Sequence, residues 1–404
     1  MATSLSYREF DPSRDAGRVS FVVSQAFGVE EAGCRKWITE TRGTRVRVVD
    51  RGSSPSVDAC LLLIPMGQYF GGRSVSMTGV AGVAVSPEAR GSGIATHMMA
   101  ESLREMRASG AAISTLYPAT QPIYRKVGYE QAGALWQYSL DPSRLRGAKE
   151  PSLSVVQLSR DDRPRLDEAY ARFARPRDGY LDRSDYIWDR VFEPRGQAAT
   201  GWAFVDGNTM EGCVFTVRQP AETPGKRVLP LSEMWMTTPR AARRILGFLA
   251  DHASVIRELS FHGPCPHPLL VAMQEQAAAS RVKDFWMTRI VHVARALEQR
   301  GYPAGLTASV TIEVVDDLIE ENNGAYRLSV DDGAGRVEHN SSEPRALREG
   351  FVRADIRDLA SIYTGFMSPQ TLAATTGRVT GDERGLATMA SLFAGGMPCM
   401  TDPF

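Results

Sequence analysis

The chain has 404 residues, two to three units at roughly 150 residues per domain, so its core needs no disulfide or metal to hold it. Hydrophobic residues make up 43% and charged residues 23%, which excludes a disordered chain. The 47 basic residues balance 47 acidic ones, so no bulk field exists to draw in nucleic acid or an anionic membrane. Five scattered cysteines, Cys34, Cys60, Cys213, Cys265 and Cys399, show no CxxC pairing and read as reduced thiols of a cytoplasmic protein. The N-terminus MATSLSYREFDPSRD lacks the apolar core of a signal peptide, and no run approaches the roughly eighteen apolar residues of a spanning helix.

The first unit, residues 1–145, opens with an amphipathic stretch, Asp15 to Phe27, followed by strand patterns at Thr44 to Asp50, Ala59 to Pro65 and Met77 to Val85. After Val85 a turn leads into a helical pattern carrying Ile94, Met98, Leu103 and Met106 at a 3.6 period and stopping at Gly110, and another strand starts at Ile113. Strand, glycine turn, helix, strand is the order of an α/β unit whose helix crosses the sheet. The polar segment Asp141 to Ser152 reads as a linker. A second unit, 146–290, repeats the order, with a hairpin signal at Asp206-Gly207 and a strand Leu231 to Thr237 that feeds a helix capped by Thr238 with Pro239 at its first position. That junction has no glycine, so its amides are held away from a phosphate and this copy is expected to be catalytically empty. The third unit, 291–404, alternates strands at Ala308 to Val314 and Tyr326 to Val330 with helices at Ile356 to Tyr363 and Glu383 to Phe393, and Asn322-Asn323-Gly324 marks a tight turn.

The informative stretch is Val83-Ala84-Val85-Ser86-Pro87-Glu88-Ala89-Arg90-Gly91-Ser92-Gly93-Ile94-Ala95-Thr96, an R-x-x-G-x-A pattern centred on Arg90 to Ala95, with a strand before it and a helix after it. Small residues at Gly91, Gly93 and Ala95 let free amides of a helix start approach an anion, where the helix dipole also favours negative charge. A pyrophosphate suits such a site, with Arg90 adding a charged contact. The plain structural alternative is a glycine turn that only caps its helix. Neither a dinucleotide fingerprint nor a P-loop fits, because the GxGxxG spacing and the Gly-Lys-Ser/Thr ending are both missing.

Together with P-I-Y-R-K-V-G-Y at Pro122 to Tyr129, this run resembles the acetyl-CoA site of GNAT-type N-acetyltransferases. A GNAT domain, a degenerate GNAT-like copy and a sterol-carrier-like terminal domain ending in phenylalanine resemble, over essentially the whole chain, the Eis (enhanced intracellular survival) acetyltransferases of actinobacteria. The resemblance implies an α/β (α+β) fold of tandem GNAT mixed-sheet domains followed by a sterol-carrier-like α+β domain. It implies that amides of Val83, Ala84 and Val85 bind the cofactor's carbonyl and pantetheine, that Arg90 and the amides of Gly91, Ser92, Gly93, Ile94, Ala95 and Thr96 hold its pyrophosphate, and that Ala119 and Thr120 also contact it. Ala119 stands where the family commonly has a hydroxyl. Tyr124 takes the place of the general acid that protonates the leaving sulfur, with Tyr117 and Tyr129 as competing tyrosines. The proton acceptor is the terminal carboxylate of Phe404, a weak base with an ordinary pKa of about 3.3 to 3.7, for which a frayed tail is the structural alternative. The implied acceptor groove is aromatic and acidic, with Phe27, Trp37 and Asp402 as candidates and core packing as the alternative for the two aromatics.

The expected activity is direct acetyl transfer from acetyl-CoA to primary amines of aminoglycoside or polyamine-like molecules, or to lysine side chains, by a homo-oligomer that the resemblance makes a hexamer. Aminoglycoside resistance would follow. A lipid or peptide carrier on an inactive GNAT fold is the alternative. His262, Cys265 and His267 have metal-ligand residue types but no evident fourth ligand, so no metal is expected. His97 reads as a surface or packing residue and Arg240 to Arg244 as a solvated helix face.

Overall fold

The computed structural model describes residues 5–39, 45–51, 56–145, 150–218, 227–340 and 350–404. The helix Pro12–Phe27 starts where the Asp11 side chain accepts from the Ser13 amide, and ends at Gly28 in the left-handed region. Its Val19, Val22 and Val23 pack with Cys34 and Ile38 of helix Glu31–Thr39 onto Val48, Cys60 and Ala84 of the sheet. The opposite face of the sheet, with Leu61, Leu63 and Val80, is covered by helix Ile94–Ala108 through Ile94, Met98, Leu103 and Met106. Helices therefore lie on both faces of the first unit, as the strand, turn, helix, strand order requires.

From one edge the sheet runs Leu5–Glu9, Arg45–Arg51, Val57–Phe70, Arg73–Val85 and Ile113–Leu116, then Ala278–Ile290, Glu130–Leu140 and Glu258–Gly263. It continues through Val228–Met236, Thr209–Val217 and Ala199–Asp206 to Ser154–Leu158. Strand Ala278–Ile290, from the far end of the second unit in sequence, is thus inserted among strands of the first. Its Met287 and Ile290 face Leu116 and Ile113, while its Phe285 faces Ala134. One sheet joins the two units, and the first unit's sheet is closed by a strand contributed from the second. The expected hairpin at Asp206-Gly207 pairs Asp206 with Thr209.

Five further strands, in the order Ala334–Asn340, Gly324–Asp331, Ala308–Val315, Phe351–Asp355 and Val379–Gly381, form the third unit with helices Ile356–Tyr363 and Glu383–Leu392. The buried pair Arg289–Asp316, at 2.7 Å, binds it to the inserted strand Ala278–Ile290, and a hydrogen bond of 3.0 Å from the Gly301 amide to the Phe70 carbonyl binds it to the first unit. The turn expected at Asn322 to Gly324 falls slightly earlier, as the 3-10 turn Glu320–Asn322 whose Asn323 amide donates to the Glu320 carbonyl at 2.9 Å, and Gly324 starts the next strand. Of the expected linker Asp141 to Ser152, Pro142–Leu145 is one turn of 3-10 helix, and residues 146–149 lie outside the described residues. All five cysteines are unpaired. Among the described residues no helix is long and apolar enough to cross a membrane.

Candidate active site

Strands Arg73–Val85 and Ile113–Leu116 run parallel, but only Met77, Thr78 and Gly79 are paired, with Ile113, Ser114 and Thr115. Beyond Gly79 the two strands part. On its other side the longer strand carries a bulge, because Ala81 faces Leu62 and Ala84 faces Cys60, which leaves Gly82 and Val83 opposite Leu61 alone. Gly82 has φ +58°, and a Cβ there would lie 2.4 Å from the indole of Trp37. Glycine is required at this position both by the backbone and by the ring above it.

The strand leads into the 3-10 turn Pro87–Ala89, then Gly91 and Gly93 at φ +77° and +82°, and the helix begins at Ile94 with no side chain capping it. The amides of Gly91, Gly93, Ile94, Ala95 and Thr96 have no acceptor among the described residues. These residues form one wall of a cleft of about 440 Å³, together with Val85, Ala89 and the exposed Arg90. The facing wall is Thr120, Pro122, Ile123 and Lys126, from the segment that follows strand Ile113–Leu116. Free amides, a helix N-terminus, Arg90 and Lys126 therefore converge on one cleft, an arrangement suited to a polyanion such as a pyrophosphate. The lone lysine of P-I-Y-R-K-V-G-Y escaped the sequence reading; its place two residues past the tyrosine was the available signal.

Tyr124 belongs to helix Gln121–Arg125 on the cleft's second wall and is 5% exposed. Its ring meets Tyr129 edge-on at 6.1 Å, and its hydroxyl has no hydrogen-bond partner among the described residues. The two competing tyrosines are committed elsewhere: the Tyr129 hydroxyl pairs with Ser114 Oγ at 2.7 Å, and the Tyr117 hydroxyl donates to the Met400 carbonyl. Burial pushes the Tyr124 phenol up to about 12, so it is protonated at neutral pH and free to donate.

The C-terminal segment is docked. The Cys399 amide donates to the Asp178 carbonyl at 3.0 Å, the Ala134 amide to the Pro398 carbonyl at 3.3 Å, and Arg190 to the Pro403 carbonyl at 3.2 Å. The Phe404 ring is half-buried against Gly79, where a Cβ would meet it at 2.7 Å. Phe404 thus sits beside the point at which the two strands part. Trp37 donates its indole N–H to the Tyr186 hydroxyl at 2.9 Å and covers Gly82 in the same strand.

Family models described as acetyltransferase (GNAT) domains match residues 16–132 and 179–290, and one described as a sterol carrier protein domain matches 293–401. The chain is 26% identical to the N-acetyltransferase Eis of Mycobacterium tuberculosis over 384 residues, covering 93% of this chain and 92% of the relative. It is 27% identical to an uncharacterized N-acetyltransferase of Streptomyces avermitilis over 83% of this chain and 82% of that one. A crystal structure of a GCN5-related N-acetyltransferase from Anabaena variabilis superposes with a TM-score of 0.90 at 29% identity, covering 99% of this chain and 100% of its own. The chain is a GNAT-type N-acetyltransferase that is similar over nearly its whole length to the Eis N-acetyltransferases. It is an acetyltransferase built from two tandem GNAT domains and a sterol-carrier-like domain, and GNAT domains use acetyl-CoA as cosubstrate.

The two GNAT copies of the chain differ at the helix start. In the second, Thr238 caps helix Pro239–Ala250 by accepting from the Ala241 amide and donates to Glu211, which is also bound by Arg240. A carboxylate of the chain itself occupies the place next to that helix N-terminus where the first copy leaves its amides open. The Arg240 hydrogen bond holds the Glu211 carboxyl below the usual carboxylate range. The basic run is accordingly paired rather than freely solvated: Arg240 with Glu211 and Asp206, Arg243 with Glu150, and Arg244 with the Leu153 carbonyl.

Several expected site residues are turned away from the cleft. The Ala84 side chain is buried toward the two N-terminal helices, so only its backbone could serve a ligand, and Val83 packs toward helix Ile94–Ala108. Ser92 Oγ donates to the Ala89 carbonyl at 2.6 Å. Ala119 is exposed and outside the cleft lining, whereas Thr120 lines it. Phe27 projects into solvent at the end of its helix. Asp402 is bound to the buried Arg183 at 2.8 Å instead of being open to an acceptor. His267 is buried and caps helix Pro268–Val271, its Nδ1 accepting from the Leu269 amide.

Proposed function

We propose that the chain transfers acetyl from acetyl-CoA directly to primary amines of polycationic small molecules, aminoglycosides and polyamines foremost, and to exposed lysine side chains. The observation that carries this reading is the first copy's set of unpaired amides on one wall of a cleft whose other wall bears the helix of Tyr124, a buried tyrosine with an uncommitted hydroxyl. The unpaired amides and the two positive-φ glycines fit a pyrophosphate, since a side chain at either glycine would be strained and would crowd the approach. Acetyl-CoA supplies an activated acyl group on a thiol leaving group.

The residues of the chain then have separable tasks. The free amides of Gly91, Gly93, Ile94, Ala95 and Thr96, with Arg90, Thr120 and Lys126, hold the phosphates; the Ser92 amide is taken by the Ala89 carbonyl. Backbone groups at the Gly82–Val83 bulge, freed from ladder pairing, are available to orient the pantetheine arm and to donate to a developing oxyanion. Tyr124 Oη gives up its proton to the leaving sulfur. The carboxylate of Phe404, whose ring packs beside the parting of the strands, accepts the proton that an ammonium must lose before it can attack. Trp37 and Tyr186 wall the acceptor side. No cysteine lies in either motif, so an acetyl-cysteine step has no nucleophile there. We place the enzyme in the cytoplasm and assign it an oligomeric state, a hexamer, on family grounds.

The test is to incubate the protein with acetyl-CoA and either kanamycin or spermidine and to follow free thiol. Amine-dependent thiol release is the expected result. Absence of release with every amine, alongside tight lipid binding, would overturn this reading in favour of a carrier.

A further inference from the structure

We propose that Arg183 is a positioning residue that holds the C-terminal segment at the acceptor end of the site, with Glu233 fixing Arg183 and Asp402 receiving it. The inference rests on the reading that the Phe404 carboxylate accepts the ammonium proton. Arg183 comes from the second GNAT copy, and its side chain is completely buried. Its Nε donates to one Asp402 oxygen at 3.2 Å, while Nη2 lies 2.8 Å from the other as an ion pair and donates to Glu233. The guanidinium lies over the Tyr170 ring at 3.7 Å and near Trp188 at 4.8 Å.

Glu233 alone would neutralise Arg183. The second carboxylate, Asp402, is supplied by the tail, and the planar fork fixes its orientation as well as its distance. The other backbone contacts of the tail, at Pro398, Cys399, Met400 and Pro403, are single hydrogen bonds to carbonyls or amides. Among the described residues Asp402 is the one tail side chain held by a buried charge, and it stands two residues before Phe404. Two residues of free chain could wander by about 7 Å. With Asp402 clamped, Arg190 on the Pro403 carbonyl and the Phe404 ring on Gly79, that freedom is removed. The degenerate copy, whose own helix start is filled by Glu211, thereby acquires a task in the reaction of the first.

The experiment crosses two substitutions with an extension of the chain. Asp402→Ala frees the tail while leaving the Arg183–Glu233 pair in place, and Arg183→Met removes the clamp itself. Each is expected to lower kcat by about tenfold or more, since a misplacement of about 1 Å can cost 10²-fold, with the KM for acetyl-CoA within about twofold of wild type. Two glycines appended after Phe404 displace the carboxylate and are expected to lower kcat by about 10²-fold. On that extended background neither substitution should lower kcat further, because the group being positioned is already lost.

Wild-type kcat in the folded substitution variants, beside a slow extended chain, overturns the positioning role alone. An equal drop on the extended background also overturns it, since Arg183 would then act on something other than the carboxylate. A raised acceptor KM with unchanged kcat in Asp402→Ala would make Asp402 an acceptor-binding group and overturn the clamp. Full activity of the extended chain overturns the proton-acceptor reading and this inference with it. Should Arg183→Met fail to fold, Asp402→Ala decides by itself.

Discussion

Replacing Tyr124 by phenylalanine separates chemistry from architecture unusually well in this chain. The hydroxyl makes no hydrogen bond to the protein among the described residues, and the ring contributes through its burial and its edge-on contact with Tyr129 at 6.1 Å, both of which phenylalanine keeps. Removing the oxygen therefore breaks no interaction of the fold and relieves a nearly buried polar atom, so stability should change by less than about 1 kcal/mol. A positioned general acid contributes about 10² to 10⁴ in rate. At 1.36 kcal/mol per factor of ten, Tyr124→Phe should raise the barrier by about 3 to 5 kcal/mol. The assay is initial-rate thiol release at saturating acetyl-CoA, with thermal melting run in parallel. The expected result is a large fall in kcat, a KM for acetyl-CoA near that of wild type, and a melting shift below about 2 °C. A kcat within threefold of wild type would remove Tyr124 from proton transfer, and a fall in kcat matched by a large loss of stability would make its role structural. The phenol, pushed up to about 12 by burial, stays protonated throughout the neutral and mildly alkaline range, so its own ionisation should not depress the wild-type rate between pH 7 and 10.

Lys126→Met should raise the KM for acetyl-CoA about three- to tenfold with little change in kcat, since the lysine is exposed and faces the amide wall rather than the reacting end; unchanged cofactor affinity by calorimetry would remove it from the site. Gly82→Ala forces a Cβ against Trp37 at a backbone angle that costs about 1 to 2 kcal/mol, so it should lower both the melting temperature and kcat, and a wild-type melting curve would contradict the packing described above. His267 is held neutral by burial, with its pKa lowered to about 4. Its folded value lies below the unfolded one, so its contribution is present above about pH 6.5 and is lost as the pH falls through about 4, up to about 3 kcal/mol. Urea unfolding at pH 7 and pH 4.5 should show a smaller acid loss in His267→Asn than in wild type; equal losses would place the acid sensitivity elsewhere.

The parts of this protein that could be read from its residues are those set by local chemistry. Gly91 and Gly93 announce a turn that only positive φ can make, and the period of Ile94, Met98, Leu103 and Met106 fixes which helix face meets the sheet. Thr238 and Pro239 likewise mark a helix start from neighbouring residues alone. The insertion of strand Ala278–Ile290 beside Ile113–Leu116 was not legible, because it depends on pairing between residues far apart in the chain and leaves no trace in the periodicity of either strand. The direction of Ala84 was hidden by the bulge at Gly82 and Val83, which shifts the alternation of side chains by one. Asp402 looked like an open acid because its partner, Arg183, lies 219 positions earlier and nothing in the sequence links them. Glu211 at the second helix start was hidden for the same reason, while Lys126 stands within the P-I-Y-R-K-V-G-Y motif itself, two residues past the tyrosine.

The most direct test of the account is a crystal structure with coenzyme A bound. The prediction is pyrophosphate oxygens on the amides between Gly91 and Thr96, the pantetheine arm running along the Gly82–Val83 bulge toward Tyr124, and nothing bound at Thr238 to Ala241. Coenzyme A seated at the second copy, or anywhere that leaves the cleft between Arg90 and Lys126 empty, would contradict it.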